Sequence, residues 1–217
     1  MCYVVIAGGP NKDLSGLSET IRNAEYILCA DSGADELRRL SILPHAVWGD
    51  MDSIDEKTVS WLKENQVDHR LFPVEKDMTD SELCLTSIPK DKKILFITSL
   101  LGRLDHVMTN LLLVMRLKEE GYDITVTDGN TWVYPLCGPN RWRAEERFAT
   151  SDHVISVLPL GKGARAVSTV GLKYPLFARD LEVGSSLTVS NEFDLGKKEH
   201  GFDMTDGTML VIVSIKS

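Results

Sequence analysis

Four carboxylates, Asp31, Asp50, Asp52 and Asp80, stand in stretches that read as loops: Cys-Ala-Asp-Ser-Gly-Ala, Trp-Gly-Asp-Met-Asp-Ser and Asp-Met-Thr-Asp. Each stretch follows, or lies close to, an apolar run with the character of a buried strand. In a parallel α/β sheet the carboxyl ends of the strands share one rim, and ligands bind there. A hard, oxygen-rich cluster on such a rim suits Mg²⁺, which keeps several waters and is bridged by substrate phosphates. Like charges crowded on one rim destabilise one another unless a cation joins them. The residues therefore point to a metal-dependent enzyme acting on phosphates.

Asp50 and Asp52 flank one residue, so a bent loop lets both carboxylates converge on one cation. In a flat strand they would also share a face, because side chains alternate with period two. The competing readings are a solvated turn, a helix cap supplied by Ser53, and an Asp80 that merely complements the positive end of the following helix. Gly102-Arg103-Leu104-Asp105-His106 follows the next apolar run and precedes a long amphipathic segment. Arg103 can make bidentate contacts to phosphate. Asp105 can cap the helix or orient Arg103, and Asn110 lies about one turn beyond His106. No Walker A sequence is present, since Gly161-Lys162-Gly163 lacks the upstream glycine and the following Ser or Thr. Gly8-Gly9-Pro10 reads either as a simple turn or as backbone able to approach phosphate.

The elements that must position these groups alternate over the first 130 or so residues. Val4–Ala7, Tyr26–Ala30, Ala46–Trp48, His69–Phe72, Ile94–Thr98 and Ile124–Thr127 read as buried strands. Ala34–Leu40, Glu56–Asn65, Thr79–Ser87 and Asp105–Glu119 read as helices, the last with a broad apolar face and Gly121 as its stop. That alternation predicts an N-terminal, mainly parallel α/β sandwich domain over 1–135. Beyond about residue 140 the texture changes to short β-rich runs separated by turn residues: Val154–Leu158, Ala164–Val170, Ser186–Val189 and Met209–Ile215. These predict a C-terminal β-sandwich over 140–217, with Pro135–Arg143 as the junction.

A formal net charge of −8 argues against a nucleic-acid surface or an anionic membrane surface. It is compatible with ATP, because Mg²⁺ brings its own positive charge to a site. Cys2, Cys29, Cys84 and Cys137 are scattered without a Cys-x-x-Cys pair, so free thiols in a reducing cytosol fit better than zinc or disulfides. The start lacks the marks of a signal peptide, and no apolar stretch approaches a membrane span. A cytoplasmic protein is expected.

Taken together the motifs resemble the thiamine pyrophosphokinase (thiamine diphosphokinase) family over nearly the whole chain. They are Asp31-Ser-Gly-Ala, Gly49-Asp-Met-Asp-Ser53, Asp77-Met-Thr-Asp80, Gly102-Arg-Leu-Asp-His106, Gly171-Leu-Lys-Tyr-Pro-Leu176 and Ser190-Asn-Glu-Phe193, and their order and spacing are specific. The resemblance implies transfer of pyrophosphate from Mg²⁺–ATP to the hydroxyl of thiamine, giving thiamine diphosphate and AMP. It also implies an α/β catalytic domain, a thiamine-binding β-sandwich, and a homodimer with active sites between subunits. By the same resemblance Asp31, Asp50, Asp52 and Asp80 become catalytic acids and Mg²⁺ ligands. Arg103 and Asp105 join them in catalysis, and Asp77, Thr79, Arg103 and Asn110 in binding ATP. Tyr174, Thr188, Ser190 and Asn191 become the thiamine contacts, with an ordinary core role as the alternative for Tyr174. One departure is Leu101, where family members often carry a second glycine. Two rival readings stay open: a catalytically impaired thiamine-binding homologue and a metal-dependent nucleotide-sugar transferase.

Overall fold

A computed structural model of the chain describes residues 2–10, 14–72 and 77–216. The chain divides into two compact units, Met1–Asn130 and Thr131–Ser217. In the first, the strands are β1 (Tyr3–Ala7), β2 (Tyr26–Ala30), β3 (Ala46–Gly49), β4 (Asp68–Leu71), β5 (Lys93–Ile97) and β6 (Asp123–Thr127). The helices are α1 (Ser18–Arg22), α2 (Gly33–Arg39), α3 (Glu56–Glu64), α4 (Asp80–Thr86) and α5 (Leu104–Glu119). All six strands run parallel, in the order β4-β3-β2-β1-β5-β6.

The chain steps across this sheet in one direction from β1 to β4, then returns to add β5 and β6 beyond β1. Right-handed crossovers then put α1, α2 and α3 on one face and α4 and α5 on the other. The packing agrees, with α2 against α3 and α4 against α5. Strands covered on both faces must be apolar throughout. Val4, Val5, Ile6, Leu28, Cys29, Phe96 and Ile97 are accordingly buried. Each large side chain among them contributes up to about 1.5–3 kcal/mol relative to exposure.

The reversal between β1 and β5 creates a switch point, where loops from adjacent strand ends diverge and leave a crevice. The outer strand departs from expectation. His69–Phe72 was expected to be buried, but among the described residues β4 pairs only with β3, and all four of its residues are exposed. Charged side chains suit such an edge, because they discourage further strand pairing. Phe72 follows the strand, donates its amide to the Gly49 carbonyl at 3.1 Å and packs on Trp48.

The second unit contains β7 (Trp132–Cys137), β8 (Asn140–Arg143), β9 (His153–Val170), β10 (Arg179–Leu181), β11 (Gly201–Met204) and β12 (Asp206–Ile215). Its pairings are antiparallel, with β12 lying between β7 and β9. The end of β9, Ser168–Val170, leaves that ladder to pair with β11, which continues to β8. A strand that passes from one ladder to another is how a sandwich turns its corner. The expected runs Val154–Leu158 and Ala164–Val170 are thus one strand, whose glycines at 161 and 163 interrupt the apolar pattern. Ser186–Val189, expected as a strand, is a turn. Pro135–Arg143, expected as the junction, is occupied by β7 and β8, and the break between units falls at Asn130–Thr131. Gly138-Pro139-Asn140 turns the chain from β7 into β8 rather than marking a break between units, and Pro135 sits opposite Leu210 within the β7–β12 ladder.

Gly33, the first residue of α2, approaches β1 so closely that a Cβ would lie 2.1 Å from the Ile6 carbonyl oxygen. Gly33→Ala should therefore push α2 off the sheet and cost about 1–3 kcal/mol. A lowered urea midpoint with an unchanged slope would record that loss, and an unchanged midpoint would contradict the close packing.

Candidate active site at the strand rim

Asp31 is the residue immediately after β2, and its backbone turns sharply there, with φ of 51°. Its amide donates to the Trp48 carbonyl at 2.9 Å, which ties the end of β2 to the end of β3. Gly49 follows with φ of 153°, and a Cβ at that position would meet Asp31 Oδ1 at 3.0 Å. A side chain there would press on the carboxylate, and the backbone angle itself favours glycine. Met51 is a second left-handed residue, with φ of 65°, and its amide donates to Asp31 Oδ1 at 3.1 Å. Left-handed conformations at residues other than glycine store strain and cluster at functional sites.

This folded loop gathers three of the four expected acids. Oxygens of Asp31, Asp50 and Asp52 lie within 4.8 Å of one another. Asp50 Oδ1 also accepts the Asp52 amide at 3.1 Å, which keeps the loop bent. Three converging carboxylates are a donor set that fits a hard divalent cation. Asp80 does not belong to that trio. It opens α4, in the position favoured for a carboxylate at a helix N-terminus, and lines the same cavity. Burial pushes the Asp31 carboxyl above its ordinary range, and the charges of Asp50 and Asp80 add to the shift. Hydrogen bonds from Ser53 and Met51 oppose it.

Of the trio, Asp31 lines a cavity of about 620 Å³ whose walls come from the switch point. Gly8, Gly9 and Pro10 line it after β1, Asp31 and Ser32 after β2, and Thr98 and Ser99 after β5. Thr79 and Asp80 close one side, while Arg103, Asp105, His106 and Asn110 close another. Thr79 caps α4, its Oγ1 accepting the Glu82 amide at 3.2 Å. Asp105 accepts from Arg103 Nη2 at 2.6 Å and Nε at 3.2 Å, so it orients that guanidinium. The guanidinium in turn holds the Asp105 carboxyl below its ordinary value. Asn110 Nδ2 donates to Thr98 Oγ1 at 3.1 Å. Asp77, the remaining expected member, is exposed and is not among the lining residues.

Ser53, whose expected alternative role was a helix cap, instead donates its hydroxyl to Asp31 Oδ2. The cap of α3 is Asp55, which accepts the Lys57 amide at 2.8 Å. Sequence reasoning also missed Ser32, Thr98, Ser99 and His106 as cavity residues. Only strand order brings the first three together, although His106 stood within a recognised motif. Leu101, the departure from the family pattern, lines the cavity and is 56% exposed.

The residues expected to contact thiamine are all in the second unit, and they divide by exposure. Thr188 is buried and donates its hydroxyl to the Val157 carbonyl at 2.8 Å. Asn191 is buried too, with its carboxamide bonded to the backbone of Tyr174. Ser190 is exposed with φ of 59°, its amide donating to Ser156 Oγ. Tyr174 is 62% exposed and so is no core residue.

Residues 17–126 match the thiamin pyrophosphokinase catalytic domain, and residues 145–208 match the thiamin pyrophosphokinase vitamin B1 binding domain. The chain is 26% identical over 212 residues to a thiamine pyrophosphokinase of Bacillus subtilis (strain 168), covering 97% of each. It is 28% identical over 193 residues to thiamin pyrophosphokinase 1 of Caenorhabditis elegans, covering 82% of this chain and 76% of that one. The crystal structure of thiamine pyrophosphokinase from Bacillus subtilis is similar throughout, with a TM-score of 0.84 at 25% identity and complete coverage of both chains. Yeast thiamin pyrophosphokinase shares the fold, with a TM-score of 0.77 at 17% identity over 99% of this chain and 86% of that one.

A carboxyl whose folded value is raised adds stability at low pH and withdraws it as pH climbs through that raised value. Metal-free wild-type protein should therefore lose stability relative to Asp31→Asn as pH rises above the ordinary aspartate value of about 4. At neutral pH, Mg²⁺ should raise the melting temperature of the wild type by mass action, and Asp50→Asn should largely abolish that response. Parallel melting curves with and without the cation check both statements, and an equal Mg²⁺ response in the variant would remove Asp50 from the site.

Proposed function

The chain belongs to the thiamin pyrophosphokinase family, and from that footing we propose that it transfers pyrophosphate from Mg²⁺–ATP to thiamine. The observation that carries this reading is the trio Asp31, Asp50 and Asp52 on one rim with Arg103, all within the span matching the catalytic domain. In the reaction the thiamine hydroxyl oxygen forms a bond to the β-phosphorus. The bond from that phosphorus to the α-phosphate oxygen breaks, AMP departs, and the hydroxyl proton passes to a carboxylate or to solvent. Such a transfer demands in-line positioning and dispersal of negative charge more than covalent chemistry by the protein.

Asp31, Asp50 and Asp52 would hold Mg²⁺, with Asp80 contributing from the cavity wall. Bound there, the cation would neutralise charge on the phosphate oxygens. Arg103, oriented by Asp105, supports the same end with a fixed guanidinium whose donors suit phosphate oxygens. Thr79 and Asn110 are polar groups placed on the cavity wall to fix the nucleotide. Thiamine would be held by the second unit, in keeping with its match to a vitamin B1 binding domain.

The protein is further proposed to work in the cytosol as a homodimer, with the partner copy contributing to each site. Leu104, Met108 and Leu112, spaced by four on α5, form an exposed apolar row at 72%, 48% and 52%. A second copy covering that row would remove it from water. No helix among the described residues is long and apolar enough to cross a membrane.

With ATP labelled at the β-phosphate, label should appear in thiamine diphosphate, and the nucleotide product should be AMP. Formation of ADP and thiamine monophosphate would make the protein a simple kinase and overturn the reading. In the same assay Asp50→Asn and Asp52→Asn should each lower turnover at least ~100-fold, about 2.7 kcal/mol of transition-state stabilisation. Light scattering should give twice the 24.2 kDa chain mass, and Leu104→Glu with Leu112→Glu should shift it toward the monomer.

A further inference from the structure

Arg103, the guanidinium set against phosphate in the reading above, stands at the end of a short loop, residues 98–103, between β5 and α5. The start of that loop is held from two sides. The Thr98 amide donates to the Thr127 carbonyl at 3.0 Å, and Thr98 Oγ1 accepts from Asn110 at 3.1 Å. At the far end α5 begins as Val107 donates its amide to the Arg103 carbonyl at 3.1 Å, with no capping bond from the Arg103 side chain. The direction in which Arg103 leaves the backbone is therefore set by the residues between these ends. Its ion pair with Asp105 does not set it, because both residues belong to the start of α5 and would move together.

Ser99 fixes that interval. Its hydroxyl closes twice on one residue: Oγ donates to the Leu101 carbonyl at 2.7 Å and accepts the Leu101 amide at 3.2 Å. The donor and one lone pair of the hydroxyl are thus engaged with backbone, and Ser99 is only 8% exposed. Although it lines the cavity, it has little left to offer a ligand. The same loop is wedged against the one that follows β1. A Cβ on Gly9 would lie 2.9 Å from Ser99 Cβ, and one on Gly102 would lie 3.2 Å from Pro10 Cγ. Ile6 of β1 pairs with Ile97 of β5, so the two loops leave the switch point side by side. Ser99 is where the turn is both tied to itself and braced from outside.

We propose that Ser99 is a positioning residue for the triphosphate that acts through Arg103, its hydroxyl latching the turn so that the guanidinium already faces the cavity when the nucleotide arrives. A group ordered beforehand binds more tightly, because its freedom is not lost at the moment of binding. The proposal rests on the phosphate-handling part of the reading above, and its test needs neither thiamine nor turnover.

Calorimetric titration of the full chain with Mg²⁺–tripolyphosphate, which carries no base or ribose, tests the proposal beside melting curves. Ser99→Ala should fold, because Leu101 is exposed enough for water to take over its amide and carbonyl. It should raise the tripolyphosphate Kd about 2- to 13-fold, the worth of one hydrogen bond. Ser99→Cys, close to serine in size but a poor hydrogen-bonding group, should behave like Ser99→Ala. Arg103→Ala should raise the Kd at least as far, and adding Ser99→Ala to it should change nothing more, because residues acting through one contact do not add. Losses that multiply in the double variant would show that Ser99 acts without Arg103 and overturn the proposal. A wild-type Kd in Ser99→Ala, whether or not its melting temperature falls, would overturn it too, as would a wild-type Kd in Ser99→Cys. A wild-type chain that binds no Mg²⁺–tripolyphosphate would instead overturn the functional reading itself, before any variant is compared.

Discussion

The parallel pairing of β2 with β3 is the constraint from which the site descends. Its register sets Ala30 beside Trp48, so the first residue beyond β2 lies level with the end of β3. The Asp31 amide then closes onto the Trp48 carbonyl, and the next three residues after Trp48 fold back across the carboxylate. Three negative charges are thereby crowded by backbone geometry that hydrophobic burial of the strands sustains. The hydrogen bonds of Asp31 with Trp48 and Met51 hold that loop against the end of the ladder. A sheet that is strong in its middle can hold a cluster that is unfavourable at its rim.

Electrostatics and conformation share that tension. Left-handed backbone at Asp31 and Met51 and a half-buried carboxylate both oppose folding in the metal-free protein. Active sites commonly tolerate such local conflicts because the surrounding structure over-determines them. The Arg103–Asp105 pair differs in kind. Both side chains are well exposed, so their pairing adds little to stability and serves to orient the guanidinium.

What the sequence made legible followed from burial and period. Apolar runs located the central strands, the α5 periodicity located the longest helix, and placement after strands grouped the acids, Arg103 and Asp105 on one rim. The remainder depended on facts that no local pattern encodes. Asp68, His69 and Arg70 already gave β4 a polar character, but its place at the edge of the sheet emerged only with strand order. Ser53 faced two plausible partners, its own helix and a carboxylate 22 residues earlier, and only the folded loop chose between them. Ser190-Asn191 likewise sat in a recognisable motif. Whether a polar side chain there turns outward or inward depends on where Tyr174 lies, 17 residues away.

The position of β12 in the second unit bears on the order in which the chain can assemble. This strand, the most C-terminal of those described, is the one that β7 and β9 both pair with. Its Asp206–Ile215 segment meets β9 residues some 40 to 60 positions earlier, Arg165 back to His153. During synthesis β7 and the first half of β9 emerge with ladder edges that remain open until β12 arrives. Closing such distant pairings is slow, because loop entropy is lost before contacts form. The first unit can complete its parallel sheet by residue 127 and fold while the second is still being made. The nascent chain therefore passes through an interval with a finished catalytic half and an unsealed β half. In that interval the unpaired edges of β7 and β9 are the surfaces most open to aggregation or to capture by chaperones.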